Sequence, residues 1–282
     1  MRLIGIQYPH GGIDIARRRD DATVAPLAPL AIFWDDPAGW IERAGEATAS
    51  VPLDTVTIVP PVLPSARVLC LGLNYRAHAA EGAFQVPAFP MIIGRWTVSL
   101  TVDGTPAPVP IDERGLDWEG EVAAFVGAQL RNADADTARA SVVGYAAFND
   151  LSARWAQKLT AQWTLGKNAD ASGPIGDLVT ADEVGDLRDG LRVSTRVNGE
   201  TMQNGNTRDL IFELGAVLAL VSRTMTLNRG DIIVTGTPEG VGYARNPPIY
   251  LTDGDVVEVE VERLGILRTP IVGPVEVIQA GV

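Results

Sequence analysis

The run "LDWEGEVAAFVG", Leu116 to Gly127, limits what this chain can become more than any other stretch. Side chains alternate across a strand, so Glu119, Glu121, Ala123 and Phe125 share one face while Trp118, Gly120, Val122, Ala124 and Val126 share the other. Neither face reads as a solvent face, and a strand apolar on both sides is normally buried. Two carboxylates set about 6 to 7 Å apart along such a strand repel each other unless positive charge lies between them. The fold must supply that charge or bind it.

A third acid favours binding. "GYAAFND" is a second apolar strand, and it ends in Asp150, which beside the glutamate pair makes an all-oxygen site. With two histidines, His10 and His78, and one cysteine, Cys70, the chain cannot assemble a nitrogen and sulfur cage of the zinc type. Oxygen ligands select a hard cation: magnesium or manganese, with calcium also compatible. The plain alternatives are a solvated glutamate pair on an edge strand and a helix-capping role for Asp150, two residues before Ser152.

Three other segments carry chemistry. In "GLNYRAHAAEG", His78 and Glu81 stand i, i+3, on one helical face, where the carboxylate can fix the imidazole for proton transfer; a surface pair is the alternative. In "DLSARWAQK", Arg154 and Gln157 share the same spacing, and Lys167 follows in the glycine-flanked "TLGKNAD". Cationic and amide donors beside an acidic metal site suit an anionic, oxygen-rich substrate, although solvated helix charge would look the same. "GK" is no phosphate loop, because Ala161 stands where glycine is needed and Asn168 follows the lysine. "TGTPEGVG", Thr235 to Gly242, has the glycines that let backbone N–H groups and the Thr237 hydroxyl approach an anion closely.

Composition removes other classes. A formal net charge of -12 and a pI near 4.6, with no segregated basic patch, argue against nucleic acid as a partner. The apolar run Leu210 to Val221 is short and interrupted by Glu213, so no membrane role is expected. Cys70, in "RVLCLGL", reads as a buried strand thiol in a reducing compartment, and the N-terminal stretch lacks a signal-like apolar run, so a cytoplasmic location is expected.

The chain divides at the proline-rich "VPPVLPSA". Residues 1–62, with strand-like "RLIGIQY" and "IDIARRR" about a Pro-His-Gly-Gly turn, predict a small antiparallel N-terminal domain; residues 63–282 predict the catalytic, metal-binding domain. The whole is a mixed α/β, strand-dominated fold. "DVVEVEVERLG" alternates Val257, Val259 and Val261 with Glu258, Glu260 and Glu262 as a half-solvated antiparallel strand does. "DLIFELGAVLALVSR" places Leu210, Ile211, Leu214, Val217, Leu218 and Val221 on one helical stripe.

Taken in order, "GLNYRAHAAE", "DWEGEVAAFVG", "GYAAFNDLSARWAQ", "GKNAD", "GPIGDLVTADEV", "VNGETMQNGNTRDLIF", "LNRGDIIVTGTPEGVG" and "LTDGDVVEVEVERLG" resemble the fumarylacetoacetate hydrolase family, from about Ala66 to Pro274. The resemblance implies a C-terminal β-sandwich roll, a Mg or Mn site, a homodimer, and activity on 2-oxo acids or 1,3-diketones. Carried over residue by residue, it makes Glu119, Glu121 and Asp150 the metal ligands, His78 and Glu81 the base and its partner, Lys167 the active-site lysine, and Arg154, Gln157 and Thr237 substrate contacts. Many members carry lysine where "MIIGRW" has Arg95, a departure expected to reshape the substrate end of the pocket. The reaction this implies is metal-dependent hydrolytic carbon–carbon cleavage of an acylpyruvate or 1,3-diketone. The alternative is decarboxylation, enol–keto isomerisation or hydration of a 2-oxo acid through the same metal-held enolate. A glycosidase is disfavoured because Glu119 and Glu121, on one strand face, cannot flank a sugar bond. A binding protein without turnover is disfavoured by the joint presence of His78, Glu81 and Lys167.

Overall fold

A computed structural model describes residues 1–82 and 85–274, and at its centre lies the Gly120–Val126 strand, inaccessible along its whole length. Val122, Ala124 and Val126 pack with Val193, Val259 and the helix Leu214–Thr224; Ala123 and Phe125 pack on the opposite side with Leu3, Ile15, Phe33 and Trp34. Trp34 stacks on Phe125 with ring centroids 6.0 Å apart. Burying a side chain such as Phe125 is worth about 1.5–3 kcal/mol, and several such residues offset the cost of carboxylates held at the start of the same strand.

The strand belongs to an eleven-stranded sheet. From one edge the order runs Val51–Pro52, Thr23–Pro29, Ile13–Arg18, Arg2–Gln7, Leu178–Thr180, Val142–Asn149, Gly120–Val126, Ile232–Val234, Val68–Gly72 and Met91–Arg95, with Thr57–Val59 also on Arg2–Gln7. A second sheet, Glu200–Asn206, Arg192–Val197, Val256–Val261, Gly265–Val272 and Ala107–Pro108, covers one face of the first and gives the strand-dominated α/β sandwich its second layer. The N-terminal strands are hydrogen-bonded into the main sheet through Arg2↔Val179 and share its core.

Register delivers the chemistry to one end. The antiparallel partner Val142–Asn149 pairs Gly120 with Asn149, so the Asp150 N–H donates to the Glu119 carbonyl at 2.9 Å. On the other side Ala123 pairs with Val234, and the chain leaving Val234 runs past Glu121 as Thr235-Gly236-Thr237. Val68–Gly72 lies parallel to Ile232–Val234, so its exit, Leu73-Asn74, emerges at the same end and leads into the short helix Arg76–Glu81. Three chain exits thus meet around the two glutamates.

Two sequence expectations change at the level of elements. The helix expected over Asp209 to Arg223 starts only at Leu214, because the preceding turn is held elsewhere: Leu210 bridges Tyr75, the Ile211 N–H donates to the Asn74 carbonyl at 2.8 Å, and the Phe212 N–H to the Asn74 side chain at 2.8 Å. Lys167, read as part of a turn, ends a one-turn helix Thr164–Lys167. Val257, Val259 and Val261 are buried and Glu258 and Glu260 half-buried, as the alternation requires, whereas Glu262 falls just past the strand.

Candidate metal and active site

Glu119, Glu121 and Asp150 converge. Each offers a carboxylate oxygen within 4.8 Å of the others, and all three are buried, at 6%, 1% and 2% exposure. Lys167 is buried beside them, its Nζ 2.7 Å from Glu119 Oε2 and 2.8 Å from Asp150 Oδ2. Gly166 makes that position reachable, because a Cβ there would stand 2.4 Å from Gln157 Cβ. Arg154 closes the other side of Glu119: Nη2 donates to Glu119 Oε1 at 2.7 Å, Nε to Asp117 Oδ2 at 2.7 Å and Nη1 to Gln157 Oε1 at 3.0 Å. The i, i+3 pairing of Arg154 with Gln157 read from the sequence is therefore a hydrogen bond, on the short helix Arg154–Lys158.

These neighbours divide the two glutamates. Burial pushes both carboxyls up, but Lys167 and Arg154 overturn that for Glu119, holding it at about 2. Glu121 stays well above the carboxylate range through burial and then repulsion from Asp150 and Glu119; its Oε2 accepts the Gly236 N–H at 2.6 Å. For Lys167, burial alone would lower the pKa, and the fields of Asp150 and Glu119 raise it instead, so it is held as an ammonium. Counting Asp117, four buried acids face three buried cations, Lys167, Arg154 and Arg95, and Glu121 is the acid left without an ion-pair partner among the described residues. An all-oxygen donor set with that deficit fits a hard divalent cation.

The turn "TGTPEGVG" does present N–H groups to anions, and those anions are the protein's own carboxylates. Gly236 N–H serves Glu121, Gly240 N–H serves Glu81 Oε2 at 2.8 Å, and Gly242 N–H serves Asp117 at 2.6 Å. Gly236 and Gly240 have φ of 92° and 101°, and a Cβ on Gly240 would stand 2.2 Å from the Met202 carbonyl oxygen. The Thr237 hydroxyl donates to the Gly120 carbonyl at 3.0 Å and accepts from Gln203 Nε2 at 2.8 Å.

A cavity of about 330 Å³ opens onto Glu119 and Asp150. His78, Gln157, Lys167 and Thr237 line it together with Glu119 and Asp150, and Glu121 is not part of the lining. His78 is 7% exposed, with Nδ1 2.7 Å from Glu81 Oε1, so the pair is a buried dyad in the cavity wall. Arg95, expected at the substrate end, does not line the cavity. Its fully buried guanidinium donates to Asp150 Oδ1 and to the hydroxyls of Ser99 at 3.1 Å and Ser172 at 2.8 Å. These contacts engage the guanidinium with Asp150 and the two serines, away from the cavity lining.

Asp117, Gln203 and Tyr243 join the site without having been expected there. Asp117 is wholly buried and ties Arg154 to the N–H groups of Gly242 and Tyr243, the latter at 3.1 Å. Its signal was available, two residues ahead of Glu119 on the same face. Gln203 accepts from Gly120 N–H at 3.0 Å and Thr195 Oγ1 at 2.7 Å, and nothing in its polar hairpin "GETMQNGN" marks it. Cys70 is buried, and burial pushes its thiol well up, in keeping with a core role.

Comparison with known proteins extends the geometry. The rat protein "Oxaloacetate tautomerase Fahd2a, mitochondrial" is 38% identical over 288 residues, covering 96% of this chain and 92% of its own. The crystal structure of 5-carboxymethyl-2-hydroxymuconate delta-isomerase from Mycobacterium smegmatis superimposes with a TM-score of 0.78 at 31% identity, covering 97% of this chain and 100% of that one. A fumarylacetoacetate hydrolase from the psychrophile Exiguobacterium antarcticum gives 0.78 at 32% identity, covering 97% and 100%. The family profile described as "Fumarylacetoacetate (FAA) hydrolase C-terminal" matches residues 67–272, most of the chain and the whole of the site. The chain belongs to the fumarylacetoacetate hydrolase family.

Proposed function

We propose that this protein is a divalent-metal-dependent enzyme that moves a proton next to the carbonyl of a 2-oxo acid, interconverting its keto and enol forms. One observation carries the reading: a lysine ion-paired with Glu119 and Asp150 and a carboxylate-held histidine line the same cavity as those two acids. A magnesium or manganese ion held by Glu119, Glu121 and Asp150 would supply Lewis acidity and a template for the oxygens of the substrate. Lys167 has three N–H donors, and Glu119 and Asp150 take two, so one is left for an oxygen that gains charge as the α-proton departs. His78 gives Nδ1–H to Glu81, which leaves Nε2 as the basic nitrogen for that proton. Glu81 is steadied in turn by the Gly240 N–H.

The rat relative named a tautomerase and the mycobacterial neighbour named a delta-isomerase weigh toward proton transfer. A second reading, hydrolytic carbon–carbon cleavage of an acylpyruvate or 1,3-diketone, uses the same dyad to activate water and is favoured by the Exiguobacterium neighbour's name. The homodimer implied by the resemblance is supported by an exposed apolar groove that includes Trp96 and Val98.

The deciding experiment follows a 2-oxo acid in D2O with Mg2+ by NMR, recording loss of its α-proton signal, beside product analysis with an acylpyruvate. Exchange above the buffer rate that stops on adding EDTA is the expected result. Acylpyruvate cleavage without exchange transfers the assignment to hydrolysis, and neither activity defeats both readings.

A further inference from the structure

Three cationic side chains line the cavity, and two are already engaged. Arg154 is bound to Asp117, Glu119 and Gln157, and Lys167 to Glu119 and Asp150. The third, Lys158, is exposed at the end of the Arg154–Lys158 helix, has no acidic partner among the described residues, and lines the cavity. Its Nζ stands 4.9 Å from the centroid of the Tyr243 ring, which also carries the Arg154 guanidinium at 4.5 Å. The Tyr243 backbone N–H donates to Asp117, which anchors the chain there, and its ring, in the cavity wall, offers Lys158 a cation–π contact. Two acids share the adjoining surface depression with Lys158: Glu113 instead accepts the N–H groups of Trp155 and Ala156 at 3.0 and 2.8 Å, and Asp112 is exposed and forms no ion pair with Lys158.

In the enolate reading the metal held by the triad and Lys167 would serve the 2-oxo carboxylate, so that end would make no demand on Lys158. Leu71, Leu73, Ile93 and Trp163 line the same cavity and suit a hydrocarbon stretch. The protein carries a formal charge of -12, and a dianion approaching it is repelled unless local charge at the site opposes the general field. The Lys158 ammonium, without an ion-pair partner among the described residues, does so.

We infer that Lys158, steadied by Tyr243, binds the second carboxylate of a dicarboxylic 2-oxo acid and so selects diacids over monoacids. This rests on the enolate reading for the head group alone. Calorimetric titration of the Mg2+-loaded protein with 2-oxoglutarate and 2-oxoadipate, against the chain-matched monoacids 2-oxovalerate and 2-oxohexanoate, measures the selection directly. At least one diacid is expected to bind about five- to tenfold tighter than its monoacid, as suits a charge-assisted contact. Lys158→Met, which keeps the hydrocarbon stem, should collapse that ratio toward one, and Lys158→Arg should restore most of it. Both changes fall on an exposed side chain, so intact melting temperatures should accompany them. An equal diacid preference in Lys158→Met, no preference in the native protein, or no binding of any of the four acids overturns the inference. Following α-proton exchange in the same samples separates the two ideas. A Lys158-dependent preference without exchange sinks the enolate reading and leaves Lys158 its role; exchange with no Lys158 dependence does the reverse.

Discussion

On one side of the acidic floor Glu119 meets two cations at 2.7 Å; on the other, Glu121 has a backbone N–H from Gly236 and, among the described residues, no ion-pair partner. Asp150 stands between, sharing Lys167 with Glu119 and pairing with Arg95. The two glutamates are the same side chain on the same strand face, yet one is held at about 2 and the other is pushed well above its ordinary value. Burial acts on both in the same direction, so the neighbours decide. The Glu119 side is a finished ion-pair network. The Glu121 side is where charge is missing, and there a dication has most to gain.

The strongest way to break this contrast is to remove its cation. Lys167→Met should strand Glu119 and Asp150 without their shared partner, costing about 3–5 kcal/mol of stability and lowering proton exchange at least about a thousandfold. Chemical denaturation and D2O exchange would read the two losses, and near-native values for both would remove Lys167 from the site's centre. Taking away the ion should be comparably severe for turnover: EDTA should stop exchange, and a dication at a hundred times its dissociation constant should add about 2.7 kcal/mol of stability. An unchanged melting temperature across a Mg2+ and Mn2+ titration would contradict the assignment of the triad. Next in size, His78→Ala should cut turnover about a hundred- to ten-thousandfold while leaving the metal-induced melting shift intact.

Glu121→Gln sharpens the contrast itself. Because the folded carboxyl of Glu121 is raised, the stability it contributes without metal is full below its ordinary 4.5 and is lost as pH rises through the raised value. Glu119, lowered to about 2, works oppositely: its contribution is present above 4.5 and fades as pH falls toward 2. Metal-free Glu121→Gln should therefore melt higher than the native protein at pH 8, converge with it near pH 4, and lose the metal-induced shift. A lower melting temperature at pH 8 would show that Glu121 is not the strained partner. The smallest effect is expected from Gly236→Ala, which keeps every charge but forces a Cβ to 2.8 Å from Asn74 Cβ at a φ of 92°. A loss of about 1–3 kcal/mol, with weaker metal binding, should follow from calorimetry if the Gly236 N–H steadies Glu121.

Much of this was legible beforehand because it is local. Alternation along Glu119 to Val126 fixes which residues share a face, and the i, i+3 spacings of His78 with Glu81 and Arg154 with Gln157 fix which side chains can touch. The start of the helix at Leu214 was not legible: Leu210 and Ile211 continue its apolar stripe, and only their pairing with Asn74 and Tyr75, more than a hundred residues away, pulls them out of it. Arg95 misleads for the same reason. Its sequence position marks a site residue, but Asp150 and the hydroxyls of Ser99 and Ser172 engage it away from the cavity lining.

Residue type alone required that a doubly apolar strand with two acids be buried and that oxygen, not sulfur or nitrogen, dominate any metal set. Those are matters of residue type and period, which travel with the chain. Folding in three dimensions was needed to set which glutamate is ion-paired and which is not, to tie Arg154 through Asp117 to the glycine turn, and to turn those glycines toward the protein's own carboxylates. Electrostatics in a buried site depends on distances of a few ångströms between segments far apart in sequence, and those distances exist only once strand register has brought the chain exits together.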